Sequence, residues 1–170
     1  MAVVTVKSTV ITNRDATPPV LSNDYLARSL VYHAGGIVTV TNGDSIASAY
    51  KIATIPSNAF LSAVILSNDA ITGASATFDL YDTTVNGGLI VPTTGTKFIS
   101  DAISIATAAT DKFILGSGAA PQSTNANGEK RVWEVLGLTA DPVKFYDITM
   151  TLTVAATATG VCALNVYYSV

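Results

Sequence analysis

Charged side chains are scarce in this sequence. Lys, Arg, Asp and Glu make up 12% of its 170 residues, about half of the share that is usual in soluble domains. The formal net charge of −3 argues against a nucleic-acid partner, because such a protein needs a basic face to displace counterions from phosphates. Hydrophobic residues reach 49%, which excludes intrinsic disorder. So little charge cannot cover the whole surface, and we expect part of that surface to lie against other chains.

Cysteine and histidine are nearly absent, with one copy each, Cys162 and His33. An intrachain disulfide and a cysteine-based zinc site are therefore impossible. Histidine is the usual base beside a catalytic serine or cysteine, yet no Gly-x-Ser-x-Gly elbow accompanies His33. Cys162 alternates with Leu164 and Val166, which is typical of a small buried hydrophobe. We predict no catalytic residue, no metal site and no cofactor.

Long apolar runs are missing as well. No window approaches about 18 uninterrupted apolar residues, so no membrane-spanning helix is predicted. The first seven residues carry no basic region ahead of an apolar stretch, so no secretory signal is predicted. We expect a protein without a membrane partner, in a cytosol or on a particle that is assembled there.

What the sequence does contain is period-2 alternation, which is typical of half-buried strands. Apolar and polar residues alternate over 146–154. The side chains expected on the wet face of this run are Asp147, Thr149, Thr151 and Thr153. A turn of small residues at 155–160 leads into a second alternating run at 162–170. We predict that these two runs form an antiparallel pair.

Shorter runs separated by turn signals fill the rest of the chain. Residues 37–41 precede Asn42-Gly43, which favours a type I′ turn, and 48–55 is the predicted return strand. The other predicted strands lie at 60–66, around 78–81, at 89–91 and within 98–115, and a long loop is predicted at 116–128. One short helix is predicted at 129–136, with Gly137 at the position after its end.

This pattern predicts an all-β fold, a single antiparallel β-sandwich of about eight strands with one short helix near the C-terminal third. A jelly roll fits the strand count, while alternation alone cannot fix the strand order. We place the sandwich at 26–170 and an extended N-terminal strand or arm at 1–25.

The N-terminal segment leaves two interpretations open. Residues 3–11 are predicted as a strand, and two adjacent prolines keep the chain extended beyond it. The segment is either an ordinary edge strand with a surface loop, or an arm that docks on a neighbouring subunit. In the second case the candidate interface residues are Asn13, Arg14, Asp15, Thr17, Pro18 and Pro19.

The single tryptophan, Trp133, lies in the predicted helix beside Val132, Val135 and Leu136. It is either part of the core or an anchor in a protein interface, because tryptophan serves both roles. We include it among the candidate interface residues.

Several stretches resemble small structural proteins of tailed bacteriophages. They are 11–18 (Ile-Thr-Asn-Arg-Asp-Ala-Thr-Pro), 42–46 (Asn-Gly-Asp-Ser-Ile), 55–59 (Ile-Pro-Ser-Asn-Ala), and 137–142 (Gly-Leu-Thr-Ala-Asp-Pro) leading into Tyr-Asp-Ile at 146–148. Such proteins are similar to head decoration, or cement, proteins that clamp the capsid shell. The resemblance implies a non-enzymatic β-sandwich, present in many copies on the outside of the virion, that bridges neighbouring subunits of the major capsid protein. It transfers no site residues.

From this resemblance and the low charge we predict two partners, the major capsid protein and the chain itself, as a dimer or trimer. Assembly is expected in the host cytoplasm. The alternative is a receptor- or glycan-binding sandwich of a phage fibre or tail. Aromatic residues are only 8% of the chain, and sugar-binding modules usually expose aromatics, so this alternative ranks second. An enzyme ranks third.

Overall fold

The computed structural model of the chain describes residues 9–20, 30–83, 97–117, 127 and 129–170. The strands are β1 Tyr32–Val40, β2 Ala49–Pro56, β3 Phe60–Asn68, β4 Ser75–Asp82, β5 Ser100–Ser104, β6 Ala109–Phe113, β7 Phe145–Val154 and β8 Gly160–Ser169. The helices are α1 Thr9–Asp15 and α2 Val132–Val135. No helix in these ranges is long and apolar enough to cross a membrane.

The strands form two four-stranded antiparallel sheets. Sheet A has the order β1-β8-β3-β6, and sheet B has the order β2-β7-β4-β5. The pairs β1–β8, β2–β7, β3–β6 and β4–β5 are nested, as if one long hairpin had been rolled up. This is the connectivity of a jelly roll. The predicted β-sandwich of eight strands is confirmed.

The core lies between the two sheets. Along β7 and β8 every second side chain points inward, because successive residues of a strand alternate between its faces. Tyr146, Ile148 and Met150 of β7 are buried against Leu164 and Val166 of β8. Cys162 is fully buried on the same face, as the alternation predicts.

Two predicted strand pairings are wrong. The runs at 37–41 and 48–55 belong to β1 and β2, which lie in different sheets. The runs at 146–154 and 162–170 belong to β7 and β8, which also lie in different sheets. The turn at Asn42-Gly43 does close, with the N–H of Asp44 3.0 Å from the C=O of Thr41. However, of its two central residues only Gly43 has a positive φ, 95°, whereas a type I′ turn needs two. The connections therefore cross from sheet to sheet, which alternation cannot distinguish from a hairpin.

Two residues of β7 differ from the predicted faces. Thr149 is fully buried rather than wet, because it lies opposite Lys51 and Asp79 on the two neighbouring strands of sheet B. Val154 is 46% exposed at the last position of β7 rather than buried, since the core does not extend to the end of the strand.

The N-terminal expectation also changes. Residues 9–15 form α1 rather than an extended strand, so the predicted strand is wrong over 9–11, and 3–8 lie outside the described residues. A helix bonds its backbone groups locally, which suits a segment with no sheet neighbour among the described strands. After α1 the N–H of Val20 bonds to the C=O of Asn13 at 3.0 Å. The division into arm and sandwich stays a prediction.

The two predictions over 98–136 are refined. The ambiguous 98–115 stretch contains the strands β5 and β6, as expected. The predicted helix at 129–136 is shorter, Val132–Val135, and Gly137 follows it with φ 76°. The strand predicted at 89–91 and most of the loop predicted at 116–128 lie outside the described residues.

Candidate docking face

The outward side of sheet A is formed by alternate residues of its strands. β8 lies between β1 and β3, and its even-numbered residues fill the core, so its odd-numbered residues face away from it. The cross-strand register arranges twelve outward residues in four rows. The rows are His33–Tyr167–Ala63, Gly35–Asn165–Ile65–Phe113, Ile37–Ala163–Ser67 and Thr39–Val161. We call these twelve residues the sheet A outer face.

The twelve residues of the sheet A outer face include no Asp, Glu, Lys or Arg, and all twelve are at least partly exposed. The exposed Asp111 of β6 borders them, with its N–H 3.1 Å from the Oγ of Ser67. Its large apolar side chains reach far into solvent. Ile37 is 73% exposed, Phe113 is 56% and Val161 is 39%. An exposed surface without charge is typical of the core of a protein interface, which is depleted of charged residues.

The polar groups of this face are held against the sheet. The Nε2 of His33 lies 3.0 Å from the Oδ1 of Asn165, and the imidazole packs on the ring of Tyr167 with centroids 5.2 Å apart. Between them, a Cβ on Gly35 would come within 2.6 Å of the C=O of Leu164, so only glycine fits there. These contacts hold the side chains of this row in place on the isolated chain.

A shallow groove of about 250 Å³ opens at the end of this face, where β3, β6 and β8 meet. Its lining residues are Ser67, Asn68, Asp69, Ala109, Thr110, Val161 and Ala163. Two hydrogen bonds of 2.9 Å fix the rim, because the N–H of Asp69 donates to the C=O of Val161 and the N–H of Val161 donates to the Oδ2 of the Asp69 carboxylate. The Nδ2 of Asn68 donates to the C=O of Thr107 at 2.9 Å. The carboxylate of Asp69 places a charge beside the uncharged rows.

Sheet B presents a different outward side. Asp147 on β7 accepts from the Nζ of Lys51 at 2.9 Å and from the Oγ1 of Thr54 at 2.8 Å. On β4, Asp79 is 2% exposed, and its carboxylate accepts from the backbone N–H of Phe98 at 2.6 Å. Lys97 reaches the same carboxylate at 3.2 Å. Asp147 and Asp79 thus each form an ion pair within the chain.

Burial changes the pKa of Asp79. Loss of water around the carboxylate raises its pKa above the ordinary range, while the Phe98 N–H and the Lys97 ammonium act in the opposite direction. A carboxylate of this kind is a structural component of sheet B.

The predicted interface residues fall into two groups, and neither belongs to the sheet A outer face. Asn13, Arg14 and Asp15 lie in α1, and Thr17 to Pro19 follow it as exposed backbone. Trp133 is half-buried in α2, which the β2–β3 turn holds through a 3.1 Å bond from its N–H to the C=O of Ser57. Its indole Nε1 is buried without a hydrogen-bond acceptor among the described residues. Contact of either group with a partner stays a prediction.

The sequence carried one signal for the face that was missed. The polar side of the last alternating run, Ala163, Asn165 and Tyr167, has no charged residue, unlike the polar side of the run before it. The contributions of Ile37, Ile65 and Phe113 depend on strand order, which local patterns do not contain.

A second exposed apolar group lies at one end of the sandwich. Val143 is 86% exposed and has φ 50°, a costly conformation for a β-branched residue. The carboxylate of Asp141 holds this loop by accepting from the Oγ of Ser57 at 2.5 Å and from the N–H of Val143 at 2.9 Å. These hydrogen bonds, Ser57 first, lower the pKa of Asp141. Phe145, 57% exposed, extends the apolar surface.

The residues considered for catalysis sit apart from one another. Cys162 is fully buried, and burial raises the pKa of its thiol to about 11, so the reactive thiolate is scarce. His33 is exposed and contacts Asn165 and Tyr167. In the part of the chain that the structure describes, no group of three His, Cys, Asp or Glu residues is placed to hold a metal ion.

Comparison with known proteins gives a likeness of fold. No family model matches the sequence, and no curated protein does either. A chain of the solved structure "Capsid of Ralstonia phage GP4" is similar with a TM-score of 0.57 and 10% identity, over 82% of this chain and 84% of that one. A chain of "Cyanophage Pam1 capsid asymmetric unit" is similar with a TM-score of 0.50 and 14% identity, over 92% of this chain and 96% of that one.

Proposed function

We propose that this protein is a non-enzymatic structural component of a phage virion that binds the outside of the capsid shell. The observation that carries the proposal is the sheet A outer face, an exposed surface formed by four strands without a charged residue in its rows. Jelly rolls serve viral capsids, lectins and cupins alike, so the fold alone does not decide the function. The likeness to chains of two phage capsid structures favours the capsid among these uses.

The chemistry of the face suits a shell partner. A protein that clamps a shell must present a wide, rigid contact surface. The sheet A outer face meets this need because its central strands β8 and β3 are flanked by β1 on one side and β6 on the other. Docking would remove the exposed apolar side chains of Ile37, Phe113 and Val161 from water, which favours association. Because these rows contain no charged side chain, docking carries no cost for desolvating a charge within them.

The partner we propose is the major capsid protein, with the chain bridging neighbouring subunits on the virion exterior after assembly in the host cytoplasm. α1 and residues 17–19 extend this proposal as a second contact, because Thr17, Pro18 and Pro19 are exposed. Deletion of residues 1–19 should leave the sandwich folded and weaken attachment. Circular dichroism and a shell-binding titration measure the two effects, and unchanged affinity would mean that the segment makes no contact with the shell.

The test of the proposed function uses heads purified from a phage mutant that lacks this chain. Purified protein is mixed with these heads and with decorated wild-type heads as a control, and bound protein is measured by sedimentation. We expect saturable binding with a fixed number of copies on the bare heads and little binding on the decorated ones. Binding to host cells or glycans, without binding to bare heads, would favour the fibre or tail module instead and contradict the proposal.

A further inference from the structure

A sheet edge with free backbone groups pairs readily with another strand, and proteins normally block such edges. Among the described strands, three of the four edges are blocked. β2 has an exposed lysine, Lys51, a bulge beside it and a terminal proline, Pro56. β5 and β6 are each five residues long, with a shift of register against their neighbours and a positive φ at Ala102 or Asp111.

The fourth edge, β1, has none of these features. It is nine residues long, it contains no charged residue and no proline, and it pairs with β8 in one unbroken register. Exposed apolar side chains lie along it and just before it. Ile37 and Leu30 are each 73% exposed, and Val31 is 65% exposed.

The hydrogen-bond register shows which backbone groups of β1 point outward. In an antiparallel strand the N–H and C=O of one residue share a side, and the side alternates along the strand. The C=O of Val64 in β3 accepts from Ile114 on the β6 side, whereas the N–H of Asp69, just after β3, donates to Val161 just inside β8. Odd-numbered residues of β3 therefore form their backbone hydrogen bonds with β8, and the residues opposite them in β8 are odd-numbered too. It follows that the even-numbered residues of β8 form their backbone hydrogen bonds with β1. The outward backbone groups of β1 therefore belong to His33, Gly35, Ile37 and Thr39.

No described residue bonds to these outward groups. The same four residues place their side chains on the sheet A outer face. A strand added here would continue both the hydrogen-bond ladder and the uncharged surface.

We propose that β1 pairs antiparallel with β1 of a second copy of this chain, across a twofold axis, and joins two sheets into one of eight strands. Of the described strands at the sheet edges of a second copy, β1 alone is unblocked, so it is the strand that we pair with β1. Two identical strands meet without repulsion because neither carries a charge. The edge lies beside the face proposed for shell binding, and the inference itself does not depend on that function.

The closing experiment removes one outward N–H. Ile37→Pro deletes a donor that points away from β8, and proline is tolerated at such edge positions. Sedimentation over a wide range of concentrations, without heads, should show a dimer for the native chain. The variant dimer should be weaker by at least about tenfold, because each copy loses one donor and the twofold pairing therefore loses two hydrogen bonds.

Two further variants separate the loss of the N–H from the change of side chain. Ile37→Thr shortens the side chain but keeps the N–H, so its dimer should persist. Ile37→Lys places charges at the pairing edge and should also weaken the dimer. Thermal melts confirm that each variant is folded, and exchange of the β1 amides should slow as the native chain is concentrated.

Three outcomes would overturn the proposal. The native chain could stay monomeric at every concentration, or form an oligomer that Ile37→Pro and Ile37→Lys leave unchanged. The amides of β1 could also become protected only on bare heads, in which case the occupant is an extended segment of the shell rather than a second copy. Each outcome is separate from whether the protein binds heads.

Discussion

The two sheets of the sandwich differ in the charge and the burial of their outward sides. Sheet B carries charged groups that are neutralised within the chain, such as Lys51 with Asp147 at 2.9 Å and Lys97 with Asp79 at 3.2 Å. It also buries polar side chains on its outward side, Thr77, Asp79 and Thr149. The sheet A outer face has no charged residue and buries none of its twelve members. The outward side of sheet B thus combines internal ion pairs with buried polar side chains, whereas the twelve residues on the outward side of sheet A carry no charge and stay exposed.

The difference separates stability from recognition. Removing a side chain from the outward side of sheet B breaks buried bonds, so it should act on the free energy of unfolding. A substitution on the sheet A outer face changes exposed groups. It should therefore leave the free energy of unfolding nearly unchanged and alter the affinity for a partner. Substitutions matched between the two outward sides test whether stability and binding separate in this way.

The largest effect on stability is expected at Asp79. Asp79→Ala leaves the N–H of Phe98 without its acceptor at 2.6 Å and Lys97 without its partner. We expect a loss of about 2–4 kcal/mol in the free energy of unfolding. Asn165→Ala on the sheet A outer face is the matched control, with an expected change of about 0.5 kcal/mol or less. Denaturant titration measures both, and equal losses would remove the contrast between the sheets.

Asp79 also predicts a pH dependence. Because burial raises its pKa in the folded protein, the folded state holds this proton to higher pH than the unfolded state does. The stability gained from that proton is complete below the ordinary Asp pKa of about 4 and is lost as pH rises through the raised value. Asp79→Asn lacks this titration. The stability of the native chain relative to Asp79→Asn should therefore fall as pH rises from about 4 toward neutrality, and a difference that grows would contradict the assignment.

A smaller effect of opposite sign is expected at Thr149. Its Oγ1 is buried and has no hydrogen-bond partner among the described residues. Thr149→Val removes the unpaired hydroxyl at nearly constant shape, so we expect a gain of about 1 kcal/mol. Thr151→Val is the control, because the hydroxyl of Thr151 lies 3.3 Å from that of Tyr81, and it should bring no gain. A loss of stability in Thr149→Val would mean that the hydroxyl is bonded after all.

The smallest effect is expected at His33. His33→Ala removes an exposed ring that contacts only Asn165 and Tyr167 among the described residues. The thermal melt should shift by the equivalent of about 0.5 kcal/mol or less, as surface changes usually do. If the variant instead lost a hydrolytic activity that the native protein is shown to have, the non-enzymatic proposal would fail.

Local patterns predicted the strands much better than their partners. Alternation located β7 and β8 and the buried side of each, because a pleated strand exposes one face and buries the other. It wrongly paired them with each other, since a connection such as 155–159 serves equally well as a hairpin turn or as a crossing between sheets. Strand order is a property of the whole sandwich and leaves no local trace.

The candidate site was harder to predict for the same reason. The exposed prolines at 18–19 and the lone Trp133 stand out in a sequence, so they were named as interface residues. Ile37, Ile65 and Phe113 do not stand out, because each looks like an ordinary strand residue until β1, β8, β3 and β6 are brought side by side. The absence of charge in the last alternating run was the one local sign of this face.

The most direct test compares one added charge on each outward side. Ala163→Lys places a lysine at the centre of the sheet A outer face, and Thr153→Lys places one at an exposed position of β7 on sheet B. Titration onto bare phage heads should show affinity reduced by at least about tenfold for Ala163→Lys, because an unpaired charge would be buried at the contact, and nearly unchanged for Thr153→Lys. Equal affinities, or a loss confined to Thr153→Lys, would contradict the assignment of sheet A as the docking side.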